Sequence, residues 1–141
     1  MITREAIKLL REENEVAATN SKRMAGLIGP ALIAITTSEL VNLDFLEKQY
    51  RYYSYMNGTV VFLAGLLIVR AHNRWTRGWP VVVTLTGWVA MLWGLFRMFA
   101  PEAQQGGASV PTFIGMAIPF AVGVFLTFKG YWPRNRRSRA R

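Results

Sequence analysis

Apolar residues along this chain collect into four runs, Met24 to Leu43, Tyr53 to Ala71, Trp79 to Ala100 and Val110 to Phe128, and most charged positions fall between them. Each run has the length of about 20 residues that a helix needs to cross the hydrocarbon of a bilayer. The pattern predicts an all-α integral membrane four-helix bundle with spans at 24–43, 53–71, 79–100 and 110–128. Ahead of the first span, Ile2, Ala6, Leu9, Leu10 and Val16 recur at roughly helical spacing among Arg4, Glu5, Lys8, Arg11, Glu12, Glu13 and Glu15. Residues 1–23 are therefore expected to form a short amphipathic helix. Its narrow apolar face suits lying on the membrane or covering the base of the bundle, with docking of a partner as the sharper role. A signal peptide is not expected, because the apolar run that follows is too long and lacks a small-residue cleavage pattern.

The distribution of positive charge orients the bundle. Five Lys or Arg residues precede the first span, two lie in the first loop, three around the second, none in the third and six at the end of the chain, with Arg97 inside the third span. Fourteen on one side against two on the other place both termini in the cytoplasm. The net charge of +9 then follows from topology and lipid contact. The basic tail in 133–141, Arg134 to Arg141, attracts anionic headgroups at about 1 kcal/mol per charge near the surface. Nucleic acid is a poorer match for these arginines, because no aromatic or base-reading residues are interleaved with them. Asn57-Gly58-Thr59 fits a glycosylation pattern, but beside a membrane entry it reads as incidental.

Composition narrows the chemistry. The spans take up more than half of the 141 residues, leaving no separate soluble domain. The chain has no cysteine and one histidine, so disulfides, thiolate metal sites, a protein-only zinc site and a two-histidine haem within one chain are not expected. No cofactor is implied, and no acid and base pair suited to catalysis is evident. The expectation is a protein that is not an enzyme.

The spans carry one unusual pair of charges. Thr36, Glu39 and Asn42 follow at three-residue intervals on roughly one face of the first helix. An unpaired carboxylate at that depth costs several kcal/mol and normally faces protein. Arg97 lies three residues before Ala100 on a span running the same way, so the two charges sit at nearly equal depth. A Glu39 to Arg97 salt bridge between the first and third helices is predicted, either as a buried clip with Arg97 snorkelling outward or as a proton or substrate site.

Small residues mark the faces that pack. Thr84, Gly87, Ala90, Gly94 and Arg97 form a smooth stripe on the third span, expected to face the first helix. Gly115, Pro119 and Gly123 follow at four-residue spacing on the fourth, where Pro119 is expected to kink the helix. Trp75, Trp79, Trp132, Tyr50, Tyr52, Tyr53, Tyr55 and Tyr131 read as interfacial anchors; Trp88 and Trp93 lie deeper, facing lipid, pigment or protein. In the second loop His72, Asn73, Arg74, Trp75, Arg77 and Trp79 offer contacts for an anionic headgroup, a quinone head or a partner's carboxylate, or cap the helix ends around a turn that leads into Pro80.

The string His72-Asn73-x-Trp75, Gly78-Trp79-Pro80, Thr84-Leu85, Gly87-Trp88, Gly94-Leu95-x-Arg97 and Pro101 resembles the central signature of small, uncharacterised four-span bacterial inner-membrane proteins. The likeness covers residues 65–101. It departs at Trp93, where that family often has lysine. It implies a bacterial cytoplasmic membrane and a compact bundle, with no activity, substrate or cofactor attached. Three functions then compete. The first is an accessory or structural subunit packed against a larger membrane protein complex. The second is a small proton-coupled transporter or channel using Glu39, against which stand the carboxylate's place near one surface and the fixed orientation. The third is an envelope factor binding lipid or quinone at the 72–79 turn. A second copy of this chain is a further candidate to cover a small-residue face.

Overall fold

The structure, a computed structural model, describes residues 3–43, 50–100 and 110–133. The basic tail from Arg134 onward, Pro101 and the acidic residues Asp44, Glu47 and Glu102 lie outside the described residues. Four helices follow in order: α1 (Arg4–Val41), α2 (Tyr50–Ala71), α3 (Pro80–Phe99) and α4 (Val110–Tyr131). All four are long and apolar enough to cross a membrane, and no strand occurs among the described residues.

The first helix departs from its expected division. The amphipathic segment and the first span form one unbroken helix of 38 residues, which runs through Pro30. Thr3 starts it as N-cap, its hydroxyl accepting from the Ala6 N–H at 3.4 Å, and no glycine or proline falls between there and Met24 to break it. At 1.5 Å per residue the helix is about 57 Å long, against about 30 Å of hydrocarbon. Its first five turns therefore project beyond the membrane-compatible length. Ile7, Leu9, Leu10 and Val16 on this extension are each more than half exposed.

The helices associate as two tight antiparallel pairs, α2 with α3 and α1 with α4, joined by a sparser contact between α1 and α3. Facing glycines create the tight pairs, seven residues apart on α2, α3 and α4 and three apart on α1. In the first, Gly58 and Gly65 of α2 lie against Gly94 and Gly87 of α3: a Cβ on Gly94 would stand 2.7 Å from the Gly58 carbonyl oxygen, and one on Gly65 2.8 Å from that of Gly87. In the second, a Cβ on Gly130 would stand 2.6 Å from the Gly26 Cα, and one on Gly123 3.0 Å from the Gly29 carbonyl oxygen. Without side chains at these positions the backbones approach closely, which strengthens dispersion where lipid provides no hydrophobic drive.

Two expectations change here. The stripe on α3 faces α2 rather than α1 at Gly87 and Gly94, because the complementary glycines, Gly58 and Gly65, are on α2. On α4 the expected packing face divides. Gly123 is buried against Leu32 and Ile33, whereas a Cβ on Gly115 would meet nothing within 4 Å. Pro119 between them is half-buried, and α4 runs through it. Ala90 is half-buried.

The apolar core joins the pairs near the end carrying the 72–79 turn. Ala25 and Ile28 of α1, Val83 of α3 and Leu126 of α4 are buried together, with Ile68 of α2 packed against them. At that end α4 is tied to α1 twice more: Lys22 Nζ donates to the Trp132 carbonyl at 2.6 Å and Tyr131 donates to the Gly26 carbonyl at 3.3 Å.

Candidate functional site

Two polar clusters bridge α1 to the α2–α3 pair, one at each end of the bundle. The first is centred on His72, immediately after α2, whose N–H still closes the helix on the Ile68 carbonyl at 2.7 Å. Its side chain is only 3% exposed. Nε2 lies 2.8 Å from Ser21 Oγ of α1, and Nδ1 lies 3.1 Å from Thr84 Oγ1 of α3. Both hydroxyls belong to completely buried residues. Ser21 also reaches the Ala17 carbonyl at 3.0 Å, and Thr84 the Arg74 carbonyl at 3.1 Å while accepting from the Arg74 N–H at 3.0 Å.

A hydroxyl both donates and accepts, so this chain is satisfied by a neutral ring in either tautomer. With the proton on Nε2, the ring donates to Ser21, Ser21 donates to Ala17, and Thr84 donates to Nδ1. With the proton on Nδ1, the order runs the other way and ends on Arg74. Burial lowers the His72 pKa from its ordinary 6.5; a backbone hydrogen bond opposes this, and the charge of Arg74 adds to it. The imidazole is neutral near pH 7. The Ser21 to His72 spacing is that of a nucleophile and its base, but Ser21 is 0% exposed, so a substrate carbonyl has no approach to its oxygen. The arrangement is a clasp between three helices.

The rest of the turn is open. Asn73 Oδ1 accepts from Trp75 Nε1 at 2.8 Å, which pins an exposed tryptophan over the turn. Arg74 and Arg77 are exposed, while Trp79 is half-buried, precedes α3 as its N-cap and packs on the core. Beside His72 a cleft of about 410 Å³ runs between this turn and α1, with Glu13 and Asn20 on the α1 wall and Asn73 and Arg74 on the other.

The second cluster surrounds Glu39, which is half-buried. Its Oε1 accepts from Asn57 Nδ2 at 2.9 Å and from the Tyr53 hydroxyl at 3.5 Å. Arg97 reaches the same turn of α2 from the other side: a Cβ on Gly58 would stand 2.8 Å from the Arg97 Cβ. Both side chains thus reach one turn of α2, but they do not pair directly as expected. Among the described residues no ion pair joins Glu39 to Arg97, and the buried Arg97 Nε has no hydrogen-bond partner. The stem of Arg97 is drawn to α2 by the close approach at Gly58 and Gly94, while Asn57 supplies the amide that the carboxylate uses. Tyr53 lies within electrostatic reach of both charges.

The other members of the expected polar face separate. Thr36 is buried, whereas Asn42 is exposed and caps α1, its Nδ2 donating to the Ser38 carbonyl at 2.8 Å. Trp93 is 51% exposed with its ring 5.8 Å from that of Phe96, whereas Trp88 is half-buried and its Nε1 lacks a partner. Among the described residues no group of three or more His, Asp or Glu side chains is placed to hold a metal ion.

Sequence reasoning missed Ser21 and passed over Asn57 and Tyr53 as an incidental pattern and an interfacial anchor. The available signal was polarity itself. A small polar residue next to or inside a span needs a partner on another helix, and each of these three has one.

Comparison with protein families, with curated proteins and with solved structures finds no match.

Proposed function

We propose that this protein is a non-enzymatic subunit of a larger membrane protein complex, which it joins through the α1 extension and the outward faces of its spans. The observation that carries the reading is the extension. Ile7, Leu9, Leu10 and Val16 are exposed on a helix that continues beyond the length of a span, where bilayer hydrocarbon does not cover them. Large apolar side chains left open on a rigid helix outside lipid are characteristic of a surface that a partner covers. The bundle's reactive groups point the same way. Glu39 and His72 direct their polar atoms at neighbouring helices, as groups that hold a scaffold together do.

On this reading both termini are cytoplasmic, as the charge bias implies. The resemblance over residues 65–101 adds a bacterial inner membrane. The extension then lies on the cytoplasmic side, beside the 72–79 turn. Glu39 and Arg97 lie near the outer surface and act as structural charges.

The test is purification of the tagged chain from the membranes of its own host in mild detergent, comparing wild type with the double variant Glu39→Gln and Arg97→Gln. Recovery of the same subunits at fixed stoichiometry in both is expected. Recovery of the chain alone, with pH-dependent substrate flux in proteoliposomes that Glu39→Gln abolishes, would replace this reading with transport.

A further inference from the structure

The cleft beside His72 has the chemistry of a zwitterion site. Its α1 wall is built by Glu13, Val16, Ala17 and Asn20, the spacing that places residues on one helical face. Glu13 stands about 10 Å further along the helix than Asn20. Across from it, Arg74 and Asn73 lie just past Ala71, the last residue of α2. The site therefore offers a carboxylate, a guanidinium and two amides above a floor of small apolar side chains.

Its level along the bundle marks it as interfacial. Asn20 precedes the apolar run of α1 by one turn, and α2 ends at its other wall. Tyr131, which bonds to the Gly26 carbonyl, Trp132, whose carbonyl accepts from Lys22, and the half-buried Trp79 ring the same end. Aromatic side chains of this kind sit at headgroup level.

We propose that this cleft binds the headgroup of phosphatidylethanolamine, its ammonium against Glu13 and its phosphate against Arg74. Charge selects this class. A purely anionic headgroup fits a basic pocket, but here it meets the Glu13 carboxylate. A choline headgroup carries no N–H to give to Glu13 and is recognised by a cage of Trp, Tyr or Phe rings, whereas the cleft wall has none of these and His72 is its one ring. A primary ammonium donates to Glu13, and the phosphate accepts from Arg74 and Asn73. The volume of about 410 Å³ accommodates the headgroup and leaves the acyl chains to pass outward along the spans.

The experiment is native mass spectrometry of the purified full chain, delipidated in mild detergent and titrated with dioleoyl phosphatidylethanolamine, phosphatidylglycerol or phosphatidylcholine. Wild type is expected to retain the ethanolamine lipid about tenfold better than either competitor, the scale of one charge-assisted hydrogen bond, and soluble phosphoethanolamine is expected to compete for it. Glu13→Gln should remove the preference over phosphatidylglycerol, and Glu13→Lys should reverse it. Arg74→Gln should weaken both phospholipids. These positions are exposed, and circular dichroism checks that each variant remains helical. Equal retention of the three lipids by wild type overturns the proposal, as does a preference that survives both Glu13→Lys and Arg74→Gln.

Discussion

At the scale of single residues, the buried polar groups around His72 link α1 to the end of α2 and to α3. Replacing His72 by Ala removes one partner from each of the Ser21 and Thr84 hydroxyls, which keep the Ala17 carbonyl and the Arg74 backbone. A loss of about 1–3 kcal/mol is expected, two buried hydrogen bonds at about 0.5–1.5 kcal/mol each, read from thermal unfolding in detergent. The lowered pKa of His72 gives the clasp a pH signature. The unfolded chain takes up the ring proton first as pH falls, so this contribution is complete above about pH 6.5 and declines below it toward the lowered folded value. Unfolding temperatures measured between about pH 5 and 8 should show this acid decline in wild type and a smaller one in His72→Gln. Near Glu39 the outcome depends on shape as well as charge. Glu39→Gln keeps an oxygen for the Asn57 amide and should be tolerated, whereas Glu39→Leu leaves that amide unpaired and should lower stability by about 1–3 kcal/mol. Sequence singled out Glu39 and Arg97 as the charges within the spans, since position along a helix can be counted. Rotation about each helix axis decides which partner a charge meets, and that rotation is set by glycines on a third helix.

At the scale of helices, the close backbone approach at facing glycines explains why the chain forms two tight pairs with a sparser contact between them. Gly94→Ala drives a methyl group into the backbone of α2 at Phe62 and Gly58, and a loss of about 1–3 kcal/mol is expected from overpacking. Gly115→Ala meets open space and should be neutral or raise stability by up to about 1 kcal/mol through helix propensity. Unfolding of the two variants side by side separates a packing glycine from an idle one. That the chain forms four long apolar helices was legible from hydropathy, because length and apolarity are what a spanning helix needs. The continuity of α1 from Arg4 to Val41 was less so. A change from amphipathic to apolar composition resembles a boundary on paper, yet the backbone has no reason to break where no glycine or proline intervenes. Which helix the α3 stripe would face was also hidden, since complementary glycines exist on α1, α2 and α4 alike.

At the scale of the whole molecule, the bundle is held by two glycine-packed pairs, a small core at one end and a polar clasp at each end, leaving most of its apolar surface outward. The projecting half of α1 leaves Ile7, Leu9, Leu10 and Val16 exposed. Replacing Leu9 and Val16 together by Glu should abolish association with a partner while leaving the unfolding temperature of the isolated chain unchanged, because both side chains are exposed. The measurement that tests the central claim most directly is native mass spectrometry of the wild-type protein extracted gently from its own host membrane. The account predicts this chain at a fixed whole-number ratio to other polypeptides, released when Leu9 and Val16 are changed. A lone chain or a homo-oligomer, insensitive to those changes, would contradict it.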